Sequence, residues 1–217
     1  MNGSKVLLDV ENLQTTFRIR SGFGSAGVHK LKAVDGVSFQ VRQGETFGLV
    51  GESGCGKTTV GRTLLRLYEP TGGKVLFNGE EVTNKNITVL RKEMQMVFQD
   101  PYSSLSPRLP IGEIIGEAVR EHGLVPKEQF DDYVTKVMKD CGLQEYHKDR
   151  YPHEFSGGQR QRVAIGRSLL MEPRLIIADE PIASLDISIQ AQIVMLFKKL
   201  QQEYEIRIEG EQVWVGR

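Results

Sequence analysis

Thr46-Phe47-Gly48-Leu49-Val50 runs into Gly51-Glu52-Ser53-Gly54-Cys55-Gly56-Lys57-Thr58, and from Thr58 to Leu67 the residues Val60, Leu64, Leu65 and Leu67 recur at helical spacing. A short β-rich strand, a glycine loop and an amphipathic helix in that order predict the opening of an α/β core. The loop also fits G-x-x-x-x-G-K-[ST] in full. Glycine lets the backbone curl closely round oxygen atoms, so that successive N–H groups converge on a phosphate at the positive end of the helix dipole. Gly51, Ser53, Gly54, Cys55 and Gly56 then form the cradle. Lys57 neutralises the β and γ charges, Thr58 sets its hydroxyl on Mg²⁺, and Thr59 stands beside it in the first turn. A tight glycine turn that binds nothing is the competing reading, and a chance match would lack the flanking strand and helix. Cys55 is either a redox sensor, because a helix N-terminus lowers a thiol pKa, or a small loop residue whose oxidation is incidental.

On the N-terminal side, Val6, Leu8 and Val10 alternate and lead to Leu13 and Phe17, which predicts an edge strand of a sheet. Gly22, Gly24 and Gly27 mark an exposed excursion over residues 21–30, and Val34, Val37, Phe39 and Val41 supply a second strand. On the C-terminal side, Pro70-Thr71-Gly72-Gly73 ends the helix, and residues 74–78 with Gly79 read as a hairpin arm. Met94, Met96, Val97 and Phe98 suggest a core strand. Residues 111–119 and 127–138 carry helical periodicity, a further helix runs from about Gly157 to Leu170, and Leu175-Ile176-Ile177-Ala178 is a continuous apolar strand of the buried parallel kind. Ile189, Ile193, Leu196 and Leu200 share one face of a last helix from Ile187 to about Leu200.

That buried strand delivers Asp179 and Glu180 at its carboxyl end, where parallel α/β sheets hold their ligands. Asp179 is a candidate Mg²⁺ ligand, and Glu180 can polarise a water for in-line attack on the γ-phosphorus. An ordinary solvated strand terminus is the alternative. Gln99, ending another strand, could reach the metal or the water with its amide, or could be a surface cap. Ser156-Gly157-Gly158-Gln159 feeds a helix whose free N–H groups make a second anion site, although by itself the segment reads as a plain helix start.

Lys plus Arg total 28 and Asp plus Glu total 28 in 217 residues, so no net positive field draws nucleic acid or an anionic bilayer. Apolar residues at 39% and charged residues at 26% give a globular composition with enough material for a core. No stretch approaches eighteen consecutive apolar residues, and the start lacks the pattern of a secretion signal. Membrane association is therefore expected only through a partner. Cys55 and Cys141 have neither metal-site nor disulfide spacing and suit a reducing cytoplasm.

Together, GESGCGKTT at 51–59, VFQD at 97–100, FSGGQ at 155–159, LIIADE at 175–180 and ASLD at 183–186 resemble the ordered motifs of the nucleotide-binding subunit of an ATP-binding cassette transporter. LKAVDGVSF at 31–39, QDPYSSLSPR at 99–108, YPHEFSGGQRQRVAIGRSL at 151–169 and DEPIASLD at 179–186 resemble most the importer ATPases for dipeptides, oligopeptides or nickel. The resemblance implies an α/β fold, a P-loop NTPase core with a mainly parallel sheet, an N-terminal antiparallel β subdomain and a helical subdomain. Residues 1–217 would be one cassette: 1–100 the antiparallel part and phosphate loop, 101–160 the helical subdomain, 161–200 the rest of the core, and 201–217 an atypical tail.

The resemblance further implies a Mg²⁺-dependent ATPase on the cytoplasmic face of the cell membrane, peripheral and bound to transmembrane permease subunits. An extracytoplasmic solute-binding protein would be an indirect partner, and no nucleic acid is expected. Phe17 would stack on the adenine. Lys57, Gln99 and Glu180 would act in catalysis, with Thr58, Gln99 and Asp179 at the metal, while Asp186 would couple two ATPase subunits. In their ATP-dependent head-to-tail dimer, Ser156, Gly158 and Gln159 of one chain would meet the γ-phosphate held by the other. Two further readings are an ATP-dependent clamp or regulatory module outside transport, and a nucleotide-binding fragment impaired in hydrolysis.

The family pattern continues with another apolar strand and a His-Asp switch. Here Gln201-Gln202-Glu203-Tyr204-Glu205-Ile206-Arg207-Ile208-Glu209-Gly210 follows, and His29, His122, His147 and His153 all precede Glu180. The end therefore reads as truncated or altered, with a natural domain lacking the switch as the alternative. Ile206, Ile208, Val213 and Val215 alternate well enough for a hairpin around Glu209-Gly210 that pairs on a sheet edge.

Overall fold

Two long strands, β1 (Val6–Arg20) and β2 (Val28–Arg42), pair antiparallel in the computed structural model, which describes residues 5–20, 28–204 and 207–210. The chain divides into two units, Met1–Arg91 and Lys92–Arg217.

In the first unit the sheet order is β2-β1-β3-β4, with β3 at Gly72–Phe77 and β4 at Glu80–Glu81. Apolar alternation had suggested an edge strand for β1, but it lies inside the sheet, with Leu8 opposite Val41 on one side and Phe77 on the other. Alternation reports which face is buried, whereas edge position depends on backbone partners that lie far along the chain. The buried residues of β1 also change parity, from Leu8 and Val10 to Leu13 and Thr15. The switch occurs at Asn12, where φ is 48° and the register slips, as expected of a bulge that inserts one residue. Asn78 and Gly79, both at positive φ, make the two-residue turn of the β3–β4 hairpin, a geometry matched to the right-handed strand twist. Strand β2 begins at Val28, inside the stretch expected to be a loop, and residues 21–27 of that stretch lie outside the described residues.

Helix α1 (Lys57–Leu64) follows the glycine loop and buries Val60 and Leu64. It stops before Leu67 because Arg66 takes φ 49° and the Leu67 N–H turns back to the Arg62 carbonyl at 2.8 Å. The expected strand at Thr46–Val50 is not formed. Phe47 makes only an isolated bridge, residues 48–50 are irregular, and Val50 is 70% exposed. Apolar content alone cannot make a strand without a neighbouring backbone to accept its N–H groups.

Helix α2 (Ile87–Glu93) spans the boundary between the units, and the second unit contains a parallel sheet of order β5-β6-β7, formed by Met94–Val97, Leu175–Ala178 and Arg207–Gly210. The in-register pairs Val97–Ala178 and Ala178–Gly210 align the three carboxyl ends. Helices α3 (Pro101–Ser104), α4 (Ile111–His122), α5 (Phe130–Asp140), α6 (Gly157–Leu169) and α7 (Ile187–Tyr204) supply the rest. Their core includes Ile115, Met138, Ile165, Ile176, Ile193 and Phe197, all buried. Each such side chain contributes about 1.5–3 kcal/mol by leaving water.

Helix α7 runs past Leu200 to Tyr204, whose hydroxyl donates to the Asp140 carboxylate of α5. The chain continues into β7, which lies parallel to β6 on the sheet edge. Ile206, Val213 and Val215 of the expected hairpin fall outside the described residues. Among the described residues no helix is long and apolar enough to cross a membrane.

Candidate functional site

The phosphate-loop candidates belong to the first unit. Gly54 and Gly56 adopt φ +81° and +104°, conformations that strain an L side chain. A Cβ on Gly56 would stand 2.1 Å from the Ala33 carbonyl oxygen, and one on Gly51 would stand 2.6 Å from Cys55 Sγ. Glycine is therefore required at position 56 by both backbone angle and space. Gly56 also serves as the N-cap of α1 without a side-chain cap, and its carbonyl accepts the Val60 N–H at 2.9 Å.

Lys57 folds into the loop, with Nζ donating to the Gly51 carbonyl at 2.8 Å and to the Glu52 carbonyl at 2.5 Å. Ser53 and Cys55 are exposed, and Thr58 and Thr59 are half-buried in the first helical turn. The helix is tied to β1 through the buried pair Thr63 Oγ1 and Thr15 Oγ1, 3.1 Å apart. Phe17 is half-buried and meets Tyr68 edge to face at 5.1 Å, while the Tyr68 hydroxyl accepts from Arg62 at 2.9 Å.

The acidic candidates belong to the second unit. Asp179 follows β6 directly, is only 6% exposed, and donates its N–H to the Val97 carbonyl at 2.9 Å, extending the β5–β6 ladder by one bond. Glu180 turns away at φ +43°. The Gln99 amide donates to Glu180 Oε2 at 2.8 Å, so two side chains 81 positions apart meet at the carboxyl ends of neighbouring strands. Asp186 is exposed at the start of α7, where its carbonyl accepts the N–H groups of Ile189 and Gln190.

Ser156 and Gln159 form a reciprocal capping box on α6. The Ser156 hydroxyl accepts from the Gln159 N–H at 3.3 Å, and Gln159 Oε1 accepts from the Ser156 N–H at 3.0 Å. Gly158 is buried because a Cβ there would lie 2.5 Å from Ile189 Cγ2 of α7. The S-x-x-Q spacing already carried the capping signal. No sequence signal marked Ala33, which crowds Gly56 from 23 positions away, or the burial of Asp179.

Among the described residues no three His, Cys, Asp or Glu side chains converge as a metal cage. The Thr58 hydroxyl, the Gln99 amide oxygen and the Asp179 carboxylate are nevertheless hard oxygen donors. Each is an oxygen of the kind Mg²⁺ takes, an ion that keeps several waters and binds one or two protein ligands together with substrate phosphates, with Thr58 in the first unit and Gln99 and Asp179 in the second.

A family model described as ABC transporter matches residues 34–183. The chain is 47% identical over 206 residues to the oligopeptide transport ATP-binding protein AppF of Bacillus subtilis (strain 168), covering 93% of this chain and 63% of AppF. It is 47% identical over 203 residues to the glutathione import ATP-binding protein GsiA of Escherichia coli (strain K12), covering 92% of this chain and 33% of GsiA. The chain thus spans less than two thirds of these relatives. Among solved structures, cbiO1 from Clostridium perfringens, part of the ABC transporter complex cbiONQ, superposes with a TM-score of 0.80 at 29% identity, covering 95% of this chain and 78% of that one. The dimeric ATP-binding cassette MJ0796, bound to ADP and Pi in a post-hydrolysis state, also superposes with a TM-score of 0.80, at 26% identity over 95% of this chain and 88% of that one.

Proposed function

We propose that this chain, which belongs to the ABC transporter family, binds and hydrolyses ATP to power import of a solute, with a peptide favoured by the relatives named for oligopeptide and glutathione transport. The observation that carries the reading is the phosphate loop itself, where glycines hold an otherwise strained backbone at the start of α1 and Lys57 is drawn inside it. The ammonium now rests on two carbonyl oxygens. A triphosphate offers it full negative charges in their place, and the loop amides and helix dipole add to that attraction.

Phe17 receives the adenine face, with Tyr68 bracing its edge. Thr58, Gln99 and Asp179 would hold Mg²⁺, which when bound neutralises charge on the β and γ phosphates. Gln99 occupies Glu180 Oε2, leaving Oε1 to accept a proton from the attacking water. As the water oxygen bonds to the γ-phosphorus, the bond from that phosphorus to the bridging oxygen breaks. ADP leaves with the electron pair, and Glu180 holds the proton.

Ser156, Gly158 and Gln159 would approach the γ-phosphate of a second ATPase subunit, and Asp186 would couple the two. The working unit would include permease subunits at the cytoplasmic face of the membrane, with a solute-binding protein acting indirectly across it. Balanced charge gives no attraction to nucleic acid.

Mg²⁺-dependent phosphate release, measured beside equilibrium ATP binding, tests the assignment. Lys57→Ala loses both binding and turnover, whereas Glu180→Gln retains binding and loses about 10²–10⁴-fold in rate. Equal rates for the wild type and both variants overturn it.

A further inference from the structure

Gln161 lies in the middle of α6 and is fully buried, yet among the described residues neither polar atom of its carboxamide has a hydrogen-bond partner. An amide sealed from water in this way destabilises the state that contains it. Its position on the helix identifies what it faces. At about 100° per residue, Gln161 stands about 40° from Gly157 and about 20° from Ser168 round the axis, so the three make one stripe.

The stripe is anchored at both ends. A Cβ on Gly157 would lie 3.3 Å from Leu185 Cδ2, in the turn that follows Glu180, and the Ser168 hydroxyl donates to the Met96 carbonyl of β5 at 3.3 Å. Helix α6 therefore runs antiparallel to β5. Gln161 is about 10 Å along the axis from Ser168, the span of about three strand residues, which sets it level with Gln99 and the carboxyl ends of β5 and β6.

A second, independent observation concerns the same level of the fold. Glu180 has φ +43°, a region that a non-glycine side chain occupies at a cost in strain. A strained peptide and an unused carboxamide thus sit at one end of the sheet, beside the Gln99–Glu180 hydrogen bond.

We propose that Gln161 is a positioning residue for Glu180. When ATP is bound, the peptide joining Asp179 to Glu180 turns to hydrogen-bond with the Gln161 carboxamide and sets the angle at which the Glu180 carboxylate meets water. The inference rests on the ATPase reading above. It assigns Gln161 no contact with nucleotide, so its loss acts on kcat more than on KM.

The test compares wild type, Gln161→Met, which keeps the volume without the hydrogen bonds, and Thr135→Val, which removes another buried and unpartnered polar atom from α5. Without nucleotide, both variants melt at or above the wild-type temperature. With Mg-ATP, Gln161→Met loses about tenfold in kcat with KM changed less than about twofold, while Thr135→Val turns over like wild type. In wild type, hydrogen exchange at the amides of Glu180, Ile182 and Ala183 slows when Mg-ATP is added, a readout that does not depend on any variant folding. A Gln161→Met protein with wild-type kcat, one that melts lower or fails to fold, or unchanged exchange at those amides, overturns the inference. A wild type that binds no Mg-ATP overturns the ATPase reading instead.

Discussion

Gly56→Ala separates backbone strain from steric exclusion in the phosphate loop. The new Cβ would begin 2.1 Å from the Ala33 carbonyl oxygen, and ordinary contact starts near 3.4 Å, so loop and strand must part by about 1.3 Å. That carbonyl belongs to β2 at a register slip, where Ala33 lies between Val34, paired with Thr15, and Lys32, paired with Thr16, so the β1 pairing on either side limits how far it can yield. Overpacking of this kind costs about 1–3 kcal/mol. The positive φ adds about 1–2 kcal/mol for an L residue, giving about 2–5 kcal/mol in all. Gly54→Ala is the matched control, since its φ is +81° and a Cβ there meets nothing within 4 Å. It carries the strain without the clash. At about 2–4 °C per kcal/mol for a chain of this size, Gly54→Ala lowers the melting temperature by about 2–8 °C, and Gly56→Ala by a further 2–12 °C or so. Thermal unfolding by circular dichroism reads the difference, and Mg-ATP titration of the folded variants reads its effect on the cradle. A Gly56→Ala protein melting at or above Gly54→Ala would refute the reasoning.

Two more predictions concern the second unit. Cys141 is fully buried, and its thiol is pushed up from 9.0 to about 12, first by burial and then by the charge of Asp140. Below pH 9 the thiol is protonated in both folded and unfolded chains, but above it only the unfolded chain ionises, so stability falls with rising pH until about pH 12. Urea unfolding between pH 9 and 11 should show wild type losing stability faster than Cys141→Ala, by up to about 1.4 kcal/mol per pH unit, and parallel profiles would count against the assignment. Gly158→Ala drives a methyl group to 2.5 Å from Ile189 Cγ2 and should cost about 1–3 kcal/mol in urea unfolding. Ile189→Ala removes that carbon, so the double variant should recover part of the loss, whereas strictly additive effects would show that the two side chains do not meet.

Local, self-contained signals carried well from sequence to structure. Leu175–Ala178 was legible to the residue because four apolar side chains are followed at once by two acids, and a strand buried on both faces needs no alternation. The α4 and α5 helices were legible from periodicity, and α1 and α6 from the glycine-containing loops that lead into them. The features that escaped depend on partners distant in sequence. The alternation in β1 suggests an edge strand because side chains say nothing of what bonds the backbone, and Thr46–Val50 has strand composition without a strand neighbour.

The same distinction holds within the candidate site. Gln99 and Glu180 could each be singled out as strand-end residues, but only the parallel pairing of Val97 with Ala178 brings them within hydrogen-bonding distance. The capping box at Ser156 and Gln159 was legible from spacing, while the burial of Gln161 in the same helix was not. A glutamine five residues beyond the N-cap reads as solvated until the strands beneath it are known.

The most direct test of the ATP-binding assignment is a crystal structure of the Glu180→Gln protein with Mg-ATP. Lys57 Nζ should leave the Gly51 and Glu52 carbonyls for the β and γ phosphates, with Asp179 at the metal and the residue at 180 facing a water in line with the γ-phosphorus. Nucleotide bound elsewhere, with Lys57 still on its own loop, would contradict the account.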